Sequence, residues 1–149
     1  MKTKIQKKYI DNGLGFTVIL INVPMINVRN QWVLHINYNR YQEVVLNSLA
    51  YKPVKLTGSK IQFIRKYFQM TVRDFAKRFS VKHPAVIKWE KKKDKFTKMD
   101  WATEKDIRLF IVDELSKKAS ELYKLYKILV REAKESKEPI KLSANAISA

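Results

Sequence analysis

The order of apolar and polar residues divides the chain into an extended part and a helical part. Phe16–Val23 (FTVILINV) is β-branched and apolar. It is bounded by Asn12-Gly13-Leu14-Gly15 and by Pro24, so it predicts a strand. Gln31–Tyr38 (QWVLHINY) alternates, with Trp32, Leu34 and Ile36 on one face and Val33, His35 and Asn37 on the other, the pattern of a half-buried strand. The stretch Pro24–Asn30 is long for a tight turn, so a loose hairpin is expected, too small to stand alone in water. Tyr41, Val44, Val45 and Leu49 at helical spacing predict one short amphipathic helix before Pro53. The Lys-rich opening, Met1–Lys8, predicts a frayed end.

From Thr57 onward the period becomes helical. Ser59–Phe68 presents Ile61, Ile64, Tyr67 and Phe68 on one side. Thr71-Val72-Arg73-Asp74 fits a capping box and starts a helix over Thr71–Phe79. Ser80-Val81 is a break, and Lys82–Lys91 is the next helix, with Pro84 in its first turn. Lys91–Lys98 (KKKDKFTK) reads as a charged loop. Thr103-Glu104-Lys105-Asp106 is a second capping-box pattern. After it, Ile107, Phe110, Ile111, Leu115, Leu122, Leu125, Tyr126, Leu129 and Val130 predict one long helix, or two stacked ones, to about Lys134. Glu138–Ala149 is a tail of small and polar residues, expected to order only on a partner.

Charge sharpens this picture. The net charge is +17, and fifteen Lys and Arg against three acids fall within residues 52–98. A surface that faces phosphates concentrates charge in this way, because each neutralised phosphate releases counterions. Zero cysteines remove disulfide scaffolds, thiolate zinc sites and cysteine nucleophiles, and two histidines supply a metal site poorly. No glycine-rich phosphate loop or nucleophile–base pair is visible, so neither an enzyme nor a cofactor is expected. No apolar run approaches the roughly 20 residues of a membrane helix, and no apolar stretch follows the basic start as in a signal peptide. A cytoplasmic location is the expectation.

Two short helices around the break at Ser80-Val81, the second within V-x-x-x-A-V-x-x-W-E, have the spacing of a helix-turn-helix. The stretch from Leu56 to about Leu115 resembles a Cro/lambda-repressor-type (Xre) helix-turn-helix domain. It is most similar to the DNA-binding half of HigA- and MqsA-type antitoxins of bacterial toxin–antitoxin systems. The residues that carry the resemblance are Leu56-Thr57-Gly58, Ile61, Arg65, Thr71, Phe75-Ala76 and Trp89-Glu90. It implies phosphate contacts at Thr71 and Val72, with Arg73 beside them. Base-reading positions fall at Lys82, His83, Pro84, Ala85 and Lys88, and the following run Lys91, Lys92 and Lys93 is expected to meet phosphates. An ordinary solvated face is the plain alternative for the lysines. Three departures stand out: Val72 where a polar residue is common, Ser80 where the turn usually holds glycine, and no cysteine where MqsA-type proteins bind zinc.

The expected fold is therefore mostly α with a small N-terminal β hairpin: a lambda-repressor-like helix-turn-helix domain plus a long C-terminal helix. The expected divisions are a partner-binding or dimerising region at 1–54, the DNA-binding domain at 55–116, and a helix with flexible tail at 117–149. The expected function is a sequence-specific DNA-binding repressor. It would be the antitoxin of a type II pair that represses its own operon and neutralises its toxin. A free-standing transcriptional regulator and a nonspecific basic nucleic-acid-binding protein are the alternatives. Double-stranded operator DNA, a cognate toxin and a second copy of the chain are the expected partners. Leu122, Leu125, Tyr126, Leu129 and Val130 are the preferred seam for the homodimer, ahead of the hairpin.

Overall fold

The computed structural model describes residues 2–149, and the extended part of the chain is a sheet rather than a loose hairpin. The lysine-rich start forms β1 (Thr3–Asp11), antiparallel to β2 (Val18–Val28), from Thr3 opposite Ile26 to Asp11 opposite Val18. The end expected to fray is thus a strand from Thr3 onward; Met1 lies outside the described residues. β2 continues through Pro24, where the residue pattern predicts its end. Pro24 falls in the gap between residues 18–21 and 25–28, which pair with different strands on that side. Its missing N–H costs no ladder bond there, and its carbonyl accepts from the His35 N–H at 2.9 Å. Arg29 and Asn30, both at positive φ, then make a two-residue turn into β3 (Gln31–Leu34), so the hairpin is tight.

The C-terminal segment holds the largest departure. It forms β4 (Ile140–Ser143), parallel to residues 18–21 of β2, followed by a 3₁₀ turn at Ala144–Ile147. Ala144 and Ile147 are buried, as are Val18, Leu20, Val23 and Met25 of β2. The tail is therefore part of the sheet's core. Two compact units result: Met1–Val45 with Glu138–Ala149, and Leu46–Lys137. In the first unit the Tyr41 hydroxyl donates to Asp11 at 2.6 Å, and burial, then that bond, pushes its phenol above the usual range.

The helices are α1 (Tyr38–Tyr51), α2 (Gly58–Tyr67), α3 (Val72–Arg78), α4 (His83–Lys91), α5 (Trp101–Ser116) and α6 (Ala119–Ile128). Lys117 adopts a left-handed backbone, φ 57°, and ends α5, so the long C-terminal helix is two helices. Thr103 caps nothing, because α5 begins at Trp101 with Asp100 ahead of it. Glu104, inside the stretch expected to form a capping box, is buried and pairs with Arg108 at 2.8 Å. The fully buried Arg108 donates to the carbonyls of Leu49 at 2.9 Å, Lys52 at 2.6 Å and Val54, while Glu104 accepts the Leu56 N–H at 3.1 Å. Buried carbonyls at the end of α1 need donors, and one guanidinium supplies several. Burial lowers the Arg108 pKa, and Glu104 opposes that shift.

The expectation of a mostly α chain, with a small N-terminal hairpin and a long C-terminal helix around a lambda-repressor-like domain, is accordingly incorrect. Among the described residues, six α-helices accompany a four-stranded mixed sheet that uses both ends of the chain.

Candidate nucleic-acid interface

Helices α3 and α4 are joined by Phe79–Lys82 and pack on each other. The capping box at the start of α3 forms: the Thr71 hydroxyl accepts the Asp74 N–H at 3.0 Å, and Asp74 accepts the Thr71 N–H at 3.2 Å. At the other end of α3 the Ser80 N–H reaches the Lys77 carbonyl and the Val81 N–H the Ala76 carbonyl, with Ser80 at φ 57°. This is a Schellman turn with serine in the left-handed position that glycine fits best. Gln69 at φ 55° closes α2 by the same pattern of bonds.

Two contacts fix α4. Gly58 lies so close to its end that a Cβ would come within 2.2 Å of the Trp89 carbonyl oxygen and 2.7 Å of the Lys93 nitrogen. Glycine is required here by proximity, not by conformation. Arg65 on α2 forks onto the Glu90 carboxylate at 2.7 and 2.8 Å and donates a third bond to the Met70 carbonyl at 3.0 Å. Those bonds to Glu90 hold the guanidinium protonated above its usual range, against the opposite pull of burial. Beneath, Ala76, Val86 and Trp89 are buried, as are Phe75 and Phe79. The Phe79 ring meets Phe110 of α5 edge-on at 5.4 Å. Several residues that carry the resemblance thus act as braces for α4.

The structure distributes the expected contact residues unevenly. Lys82, Pro84 and Lys88 are exposed on α4 or at its start, while His83 and Ala85 are half-buried. Arg73 is exposed and Val72 half-buried. At Thr71 the capping box uses the N–H groups of Thr71 and Asp74 and places a carboxylate at the start of α3, beside the N–H groups of Val72 and Arg73. Of the lysine run, Lys91 and Lys93 are exposed. Lys92 is half-buried, and its ammonium donates to the Thr97 carbonyl at 3.0 Å. Across residues 71–93 the exposed charged groups are Arg73, Lys77, Arg78, Lys82, Lys88, Lys91 and Lys93, with Asp74 the sole exposed acid. Arg78 spends part of its charge on Asp106 at 3.5 Å.

Lys77, Arg78 and Ile87 are exposed on this surface but are not among the contact positions expected from the sequence. Ile87 on α4 is out of phase with Val86 and Trp89, and that phase is its signal. The apolar stripe expected as a dimer seam is divided. Leu125 and Leu129 are buried and Leu122 half-buried, while Tyr126 and Val130 are exposed together with Tyr123. Among the described residues no helix is long and apolar enough to cross a membrane. No known family, curated protein or solved structure matches the chain.

Proposed function

We propose that the chain is a sequence-specific DNA-binding repressor that inserts α4 into the major groove. Its role is that of a cytoplasmic antitoxin of a type II toxin–antitoxin pair, repressing its own operon and neutralising a toxin, with two copies reading paired half-sites. The observation that carries this reading is the surface of residues 71–93. Its exposed charge is cationic but for one capping carboxylate, and it stands on a helix braced from behind by Gly58 and Arg65–Glu90. A rigid short helix with a basic outer face meets the two needs of groove reading, fixed orientation and phosphate attraction. The test is footprinting on the DNA upstream of the gene. A protected palindromic site that survives excess scrambled duplex supports the repressor. Equal binding to scrambled DNA at all salt concentrations would leave only a nonspecific basic protein. Co-expression with the adjacent reading frame tests the antitoxin role: the pair should co-purify, and this chain should relieve growth arrest caused by its neighbour.

A further inference from the structure

Ile87 is 40% exposed, whereas Val86 and Trp89 on the same helix are 0% and 7% exposed. At 3.6 residues per turn, Ile87 therefore projects away from the core, in line with the exposed Pro84 and Lys91 and on the same side of α4 as the exposed Lys88. A β-branched residue is a mediocre helix former, and here 40% of its surface still faces solvent. Its surroundings select the partner. Lys88 and Lys91, one and four residues further along α4, are exposed on its side of the helix, and the one carboxylate of α4, Glu90, is held by Arg65. A polyanion fits that setting. The apolar group that duplex DNA presents in its major groove is the thymine 5-methyl.

We infer that Ile87, with Pro84 beside it, reads thymine through its 5-methyl group, so that the bound sequence carries thymine at a fixed position in each half-site. This rests on the DNA-binding reading above and adds a specificity determinant to it. The test begins by enriching duplexes from a randomised library with the full-length protein. Each thymine of the enriched site is then replaced in turn by deoxyuridine, which removes the methyl group and nothing else. Affinities are measured by fluorescence anisotropy for the parent protein, Ile87→Ala and Lys88→Ala. One thymine per half-site should respond in the parent, with about four-fold weaker binding, the value of one buried methyl group. Ile87→Ala should show no response at that position, and Lys88→Ala should keep it. The substitution lies in the DNA, so a folding defect in a variant cannot mimic the parent's response. An enriched site in which no thymine responds, or a response that persists in Ile87→Ala, overturns the inference and leaves DNA binding standing. Failure to enrich any sequence over scrambled duplex removes both. If Ile87→Ala instead halves the mass in light scattering and leaves the thymine preference intact, Ile87 belongs to an interface between copies and the inference falls.

Discussion

Single backbone positions decide how α4 is held. Gly58 and Ser80 look alike in sequence terms, both being small residues at helix boundaries, yet the structure asks opposite things of them. At Gly58 the neighbouring backbone leaves no room for a methyl group. Gly58→Ala should destabilise the helical unit by about 1–3 kcal/mol or more, the range for overpacked sites, and weaken DNA binding with it. At Ser80 the backbone is left-handed, φ 57°, a conformation that costs an L-residue about 1–2 kcal/mol and glycine almost nothing. Ser80→Gly should therefore raise stability by about 1 kcal/mol, less the extra chain entropy of glycine when unfolded. Urea melts of both variants check the pair. Equal and small effects at the two positions would contradict the close approach at Gly58.

Among the elements, β4 and the turn after it carry the clearest consequence. Its sequence, IKLSANAI, has few large apolar residues and no long alternation, so it reads as tail. Burial of Ala144 and Ile147 and the parallel ladder to Val18–Ile21 make it part of the sheet unit. Ile147→Ala should cost about 2–5 kcal/mol, the usual loss for truncating a buried isoleucine. Amide hydrogen exchange reads it locally: protection of Leu20 and Ile21 should fall sharply while that of Phe75 and Ala76 in α3 holds. Unchanged exchange along β2 would mean the segment contributes nothing to the sheet. The break at Lys117 shows the converse. Apolar spacing runs on past it, but a left-handed residue ends the helix there, and spacing alone carries no sign of that.

At the scale of the whole molecule, charge is the property that acts. Neutralising Lys91 and Lys93 together by glutamine should weaken binding to every duplex alike. It should also flatten the slope of log affinity against log salt, by up to about 0.9 for each phosphate that is no longer neutralised. Lys92→Gln should leave that slope unchanged, because its ammonium is already committed to the Thr97 carbonyl. A slope change from Lys92→Gln equal to that from Lys91→Gln would mean that the bond to Thr97 yields to DNA. By itself the sequence determined where charge collects, which helices form between Gly58 and Lys91, and which face of α4 turns inward. Those features arise from neighbours a few residues apart: the Thr71–Asp74 capping box, Pro84 in a first turn, and the phase of Val86 and Trp89. Tertiary structure alone decided that both chain ends share one sheet, that Glu104 and Arg108 are a buried brace, and that Lys92 is spent on a carbonyl while Lys91 and Lys93 face solvent, where phosphate can reach them. Each depends on groups brought together from distant parts of the chain or packed into a common core. Local spacing carries no record of such encounters.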